Sequence, residues 1–238
     1  MALGASTVVA LDHDRIGKLA ERERALLDRR TPRSGEMLRR ARRVLPGGVV
    51  SSFQTREPWP VYVGRGEGPR VWDLDGNEYI DLHNGFSAMV QGHAHPVVGA
   101  AVAERYSLGT HFAAATEDAV VVAEELARRF GLPHWRFANS GTEATMAAIR
   151  IARAHTGRDD VLTIAGSYHG HHDVGMVSAG AGVPRAVAHD VHSVDFNDAA
   201  AIERRIVTLI GEGRKPACLL MEPVRTNVGL VLPEPGYL

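Results

Sequence analysis

The spacing of apolar residues changes character near residue 83. Upstream, residues 15–30 (RIGKLAERERALLDRR) predict a charged, solvated helix with Leu19, Leu26 and Leu27 as its sparse stripe. A second short helix is predicted over 34–45, capped by Ser34 and stopped by Pro46-Gly47-Gly48. Three strand-like runs follow at 59–63, 70–74 and 78–82, the last two joined by the hairpin signal Asp75-Gly76-Asn77, which together predict an antiparallel meander. Downstream of His83, helices predicted at 96–108, 116–130, 141–155 and 198–211 alternate with strands at 135–138, 161–165 and 217–222. Alternation of that kind implies an α/β fold with a mostly parallel sheet covered by helices. The expected organisation is therefore 1–82, N-terminal helices and meander, followed by 83–238, the first part of a larger domain. No repeat or low-complexity segment interrupts it. A sheet whose last strand ends at Glu222, trailed by the loop-like Pro233-Glu234-Pro235-Gly236, reads as unfinished.

Composition narrows the function classes. The 238 residues are 45% hydrophobic and 23% charged with a net charge of −1, which fits a soluble globular protein and gives no global field for nucleic acid or membrane. The Arg39-Arg40 and Arg42-Arg43 pairs read as an exposed helix face, because no aromatics are interleaved. No apolar run approaches the roughly 20 residues of a spanning helix. Residues 1–11 lack a basic start and meet Asp12 and Asp14, so no signal peptide is expected. A single cysteine, Cys218, fits a reducing cytoplasm. Of the 27 Lys and Arg residues only two are lysines, Lys18 and Lys215.

The densest chemistry lies at Phe137-Ala-Asn-Ser-Gly-Thr-Glu-Ala144, where a short strand feeds a tight turn and a helix starts at once. Free amides at such a start, those of Gly141 and Thr142 among them, carry the positive end of the helix dipole. The Ser140 and Thr142 hydroxyls add donors, so the turn can cradle a phosphate. An ordinary helix cap accounts for the same residues equally well. About 25 residues on, a second strand runs into Ser167-Tyr168-His169-Gly170-His171-His172-Asp173. Loops at the carboxyl ends of neighbouring parallel strands converge on the ligand crevice, which would set Tyr168 over whatever the turn holds. Packing alone explains a tyrosine there as well. His169, His171 and Asp173, with His93 and His95, superficially resemble a metal-ligand run, but the order ends His-Asp and no His or Cys ligand pattern follows His192, so no metal is expected. Gly64-x-Gly66-x-Gly68 opens no helix and reads as a hairpin connection rather than a dinucleotide fingerprint. Walker A and G-x-S-x-G signatures are absent, and Cys218 reads as core.

Taken together, RRVLPGGVVSS, VGRGEGPRVWDLDGNEYIDL, GHAHP, FANSGTEATMAAIRIARAHTGRDD, SYHGHHD and LMEPVRTNVGLVLPEPGYL resemble the class III aminotransferases of the fold-type I pyridoxal phosphate enzymes. The branch containing glutamate-1-semialdehyde aminomutase is the most similar. The stretches run from about residue 40 to Leu238, and NSGTEA followed by YHG and MEPV at this spacing is the specific part. The resemblance implies that Ser140, Gly141 and Thr142 hold the phosphate of pyridoxal 5'-phosphate and that Tyr168 stacks on its ring, with His169 beside it. Glu222 and Asn227 would lie on the cofactor side of the sheet. Ser51 would fall where the aminomutase branch contacts substrate carboxylate, and Phe86 would stand where that branch has a tryptophan.

The same resemblance carries departures. The aminomutases read PGGVNSPVR where this chain has PGGVVSSFQ, so Gln54 replaces an arginine, a charge-assisted contact worth about 1.5–3 kcal/mol if buried. The stretch after His172 is shorter than the loop that gates the aminomutase site. The reading implied is transfer of an amino group between an amino acid or amine donor and a keto or aldehyde acceptor, with aminomutase activity as the alternative. The family's aspartate partner of the ring nitrogen and its Schiff-base lysine would both fall beyond Leu238, so the chain alone is expected to be inactive without a C-terminal half. Family members are dimers, which makes a homodimer or a complementing half the expected partner. A non-catalytic binding module and a metal-dependent hydrolase are the readings from other classes.

Overall fold

The computed structural model describes residues 11–238; the segment 1–10, on which the signal-peptide reading falls, lies outside them. The chain divides into two compact units at Ala115/Thr116.

In the first unit, α1 (His13–Arg30) begins where the Asp12 carboxylate accepts the Arg15 amide at 2.9 Å, and it buries none of its residues, as so sparse a stripe dictates. The next helix, α2, is Pro32–Ala41 rather than 34–45. Pro32 at the first helical position starts the helix two residues early, which puts Ser34 inside it instead of at its cap. Ser34 is fully buried, and its hydroxyl accepts the Tyr62 amide at 3.0 Å. Thr31 accepts the Trp59 indole N–H at 2.9 Å, so residues expected in the first strand pack on α2 instead. Leu38, Ala41 and Val49 form the small core, and Gly48 is required there: a Cβ would stand 2.4 Å from Leu38.

The meander is present with a shifted first strand. β1 (Val63–Glu67), β2 (Arg70–Asp73) and β3 (Glu78–Ile80) form an antiparallel sheet in the order β1-β2-β3. Gly64 and Gly66 therefore lie within a strand, not in a hairpin connection, and β1 carries an irregularity between Val63 and Arg65. Asp73 closes the β2–β3 turn by accepting the amides of Asp75 and Asn77, the Asn77 side chain and the Tyr79 hydroxyl, all at 2.8–3.0 Å. Two helical segments follow, the short α3 (Asn84–Ser87) and α4 (Pro96–Ser107).

In the second unit, α5 (Glu117–Phe130) and α6 (Gly141–Thr156) each end on a left-handed glycine, Gly131 at φ 69° and Gly157 at φ 67°. β4 (Asp160–Ile164), α7 (Arg185–His189), β5 (Val191–Val194), α8 (Ala199–Gly211) and β6 (Pro216–Leu220) complete it. The sheet is parallel in the order β5-β4-β6, and the central β4 is buried along its whole length. Val161, Leu162 and Ile164 of β4 form the core with Ile149 of α6 and Leu209 of α8. Asp160, at the start of β4, is paired with His192 at 2.7 Å and with Arg214, and Arg205 donates to the other ring nitrogen of His192 at 2.6 Å.

Two expectations need correction here. Residues 135–138 form no strand: they join no ladder among the described residues, and Phe137 is half exposed. β5 was not anticipated, because VHSV offers two apolar residues among four and no alternation long enough to read. Among the described residues, no helix is long and apolar enough to cross a membrane.

Candidate functional site

The carboxyl end of β4 and the amino end of α6 meet. Ser140 caps α6 by accepting the Glu143 amide at 3.2 Å, and the Glu143 carboxylate reaches back to the Asn139 amide at 2.6 Å. Thr142, in the first turn, accepts the His171 amide at 3.2 Å through its hydroxyl oxygen. Both hydroxyls therefore receive a proton from the backbone and retain their own to give. The Gly141 and Thr142 amides belong to the first turn and have no carbonyl to bond within the helix.

The loop after β4 is pressed onto this helix start. Gly170 sits at φ 110°, where a Cβ would lie 2.8 Å from Thr142 Cα, so only glycine permits the approach. Thr145, one turn along α6, donates to the His169 carbonyl at 2.7 Å and so ties the two segments together. His172 accepts the Gly175 amide at Nδ1 (3.3 Å), leaving Nε2 to donate to the Thr145 hydroxyl at 3.1 Å. A cavity of about 320 Å³ opens between them, lined by Gly141, Thr142, Thr145, Tyr168, His169 and Gly170. The Tyr168 hydroxyl pairs with His171 Nδ1 at 2.7 Å, and the two rings meet edge to face. Neither Thr145 nor Gly170 is a site residue expected from the sequence, although both lie in its motifs; the i+3 spacing of Thr142 and Thr145 on a helix was the available signal for the first.

Buried polar atoms near this end of the sheet lack partners in the protein: Ser167 Oγ, His169 Nε2, Glu222 Oε2 and Arg225 Nε. Burial lowers the His169 pKa while the Glu222 carboxylate pulls it up, and the net direction is down, which keeps the ring neutral near pH 7. Burial likewise lowers that of His172. The other oxygen of Glu222 accepts the Thr226 hydroxyl at 2.8 Å. Asn227 is exposed on a short bridged turn and does not line the cavity. Among the described residues no group of three or more His, Cys, Asp and Glu side chains is placed to hold a metal. His171, His172 and His93 are instead engaged with Tyr168, Thr145 and Asp81.

Ser51 and Phe86 belong to the first unit. Phe86 lines a cavity of about 610 Å³ there, packed edge to face on His83 with ring centroids 4.2 Å apart. Asn84, Phe86 and Ser87 all have positive φ, between 50° and 66°. A run of non-glycine residues in that region is held by its surroundings at a cost, a feature common at ligand sites. Ser51 stands beside the lining residue Val50 and just before the short 3₁₀ turn Ser52–Gln54.

A parallel sheet whose central strand delivers a loop onto a helix start with spare donors is a nucleotide- or cofactor-phosphate architecture, and comparison with known proteins specifies it. The profile of the family described as Aminotransferase class-III matches residues 52–238. The chain is 41% identical over 216 residues to a glutamate-1-semialdehyde 2,1-aminomutase of Methanothermobacter thermautotrophicus, over 87% of this chain and 51% of that protein. A solved glutamate-1-semialdehyde aminomutase from Pseudomonas aeruginosa PAO1 superposes with a TM-score of 0.85 at 35% identity, covering 96% of this chain and 52% of that one. A transaminase solved with PLP bound gives 0.82 at 36% identity, covering 87% and 51%. The fold is that of the fold-type I pyridoxal phosphate transferases. The chain belongs to the class III aminotransferase family. It spans about half the length of the curated relatives it matches.

Proposed function

We propose that this chain supplies the phosphate-holding and ring-covering side of a pyridoxal 5'-phosphate site in an enzyme that moves an amino group from an amino acid or amine to a keto or aldehyde acceptor. One observation carries the reading: the Thr142 hydroxyl with its unspent proton, the first-turn residues of α6 and the Tyr168 side chain line a single cavity, with the Ser140 hydroxyl next to it in the chain at the helix cap.

The residues fit the group. Ser140 and Thr142 donate hydroxyl protons to a phosphate dianion, the Gly141 and Thr142 amides donate beside them, and the helix dipole adds a favourable field. Tyr168 presents a flat aromatic surface to a flat ring, and its bond to His171 fixes the side chain's rotation. The unpartnered His169 Nε2 and Glu222 Oε2 are buried polar atoms suited to a polar neighbour at the ring's edge. When bound, the cofactor supplies an aldehyde carbon that takes up an amine and a ring that withdraws electrons from the adjacent substrate carbon. That chemistry needs a lysine amine, and neither lysine of this chain stands in a motif that would give it. Lys18 lies on α1, and Lys215 precedes β6, whose five residues at about 3.3 Å each separate it from the end of the strand where Glu222 lies. The amine is therefore assigned to the part of such an enzyme that this chain does not span.

Aminomutase activity is the second reading, favoured by the 41% identity to an aminomutase. Gln54 and Phe86, in place of the arginine and tryptophan of that branch, favour a different substrate.

The test is an absorbance titration of the chain with pyridoxal 5'-phosphate, followed by borohydride and intact mass. Reversible binding without a mass-adding adduct is expected, weakened about tenfold or more in Thr142→Val and Tyr168→Ala and little changed in Tyr168→Phe. A reducible adduct would show that Lys18, Lys215 or the N-terminal amine serves after all. Undiminished binding in both variants would remove the cradle.

A further inference from the structure

Two strands of the parallel sheet end side by side near the α6 start, and a side chain from one holds the loop of the other. Thr163 and Leu220 are the last paired residues of β4 and β6. Past them the chain after β6 meets Pro223, which has no amide to continue the ladder. Arg225 spans the gap instead: its Nη2 donates to the Ala165 carbonyl at 2.7 Å. The arginine is itself fixed, because its backbone amide and carbonyl pair with those of Val231 at 3.0 Å each. Gly166, at φ 76°, makes room for the head group; a Cβ there would stand 2.6 Å from Nη2. Among the described residues no carboxylate pairs with this guanidinium: Nε is buried without a partner, and Glu222, three residues earlier, gives one oxygen to the Thr226 hydroxyl. A part-buried cation without a counter-charge costs stability, which directs attention to the one bond it makes.

Ala165 is the third residue before Tyr168, and the intervening Ser167 is buried, its amide held by the Ile164 carbonyl at 3.1 Å. Tyr168 therefore lies between two anchors, Thr145 of α6 on the His169 carbonyl and Arg225 on the Ala165 carbonyl. Thr145 belongs to the helix that carries the cradle, whereas the side chain of Arg225 bonds to the end of β4 and does not line the cavity. We propose that Arg225 is a positioning residue for the ring-covering side of the site: acting through Ala165 and Gly166, it sets the height of Tyr168 over the cavity and leaves the start of α6 unaffected. Describing Tyr168 as the cover of a pyridoxal ring rests on the proposed function; the dependence of Tyr168 on Arg225 does not.

The experiment begins with the chain free of cofactor and its tyrosine rings isotope-labelled for NMR. The Tyr168 ring signal, identified by its loss in Tyr168→Phe, should move in Arg225→Met, move less in Arg225→Lys, which keeps a charged donor, and stay in place in the surface variant Arg204→Met. Pyridoxal and pyridoxal 5'-phosphate are then titrated into each chain. Arg225→Met should weaken both by the same factor, about fivefold, so that the preference for the phosphate form persists. Added to Tyr168→Ala, it should cost less than about twofold more, because two residues acting through one ring do not add. A Tyr168 signal unmoved by Arg225→Met, a loss confined to the phosphate form, or a second loss of the same size in the double variant overturns the proposal. Failure of the unaltered chain to bind either ligand removes the proposed function instead, and the ring signal then decides the role of Arg225 by itself.

Discussion

At the scale of single residues, the site depends on what each donor has left after the fold has used it. Ser140 and Thr142 accept backbone protons and keep their own, while Thr145 and His172 are consumed in tying the loop to α6. The motif residues were legible in the sequence because hydroxyls and glycine at a strand-to-helix turn imply an anion cradle before any contact is known. Gly170 was not, since its necessity comes from the approach of Thr142, a residue 28 positions earlier. Gly170→Ala should therefore cost about 2 kcal/mol or more, from a left-handed backbone and a Cβ placed 2.8 Å from Thr142 Cα. A lower urea midpoint with an unchanged slope, together with weaker pyridoxal phosphate binding, is the expected outcome; wild-type stability would show that the loop is not pinned there.

Among the elements, helices with clear caps were read to within a residue or two, as α5, α6 and α8 show. Errors arose where tertiary demands outweighed local pattern. Trp59 and Tyr62 look like strand residues but serve α2, which moves β1 onto the glycine run. Residues 135–138 have strand-like composition but no ladder partner among the described residues, and propensity alone does not make a strand. The β2–β3 turn was legible, yet its charge was not. Burial would raise the Asp73 pKa, but the donors from Asn77, Tyr79 and Asp75 outweigh it and hold the carboxyl below its ordinary value. Burial and that same bond push Tyr79 up to about 12. Asp73 thus adds stability above the ordinary carboxylate range that is lost as pH falls through it. Tyr79 adds stability that is lost as pH rises past about 10, where the unfolded tyrosine ionises. Urea unfolding across pH should show a shallower acid limb in Asp73→Asn and a shallower alkaline limb in Tyr79→Phe; limbs identical to wild type would contradict these roles.

For the whole molecule, the alternation of helices and strands after residue 83 announced the parallel sheet, and the family match confirms the class of fold. The division into units at Ala115/Thr116 has no comparable signal in the sequence, because it follows from which segments pack together rather than from any change of rhythm. The central claim is that the start of α6 and the Ser167–Asp173 loop form a phosphate-reading site. Comparing the affinity of the chain for pyridoxal 5'-phosphate with that for pyridoxal, which lacks only the phosphate, tests it most directly. The phosphate form should bind about tenfold tighter or better, and the difference should shrink in Thr142→Val. Equal affinity for the two, or a phosphate preference indifferent to Thr142, would contradict the account.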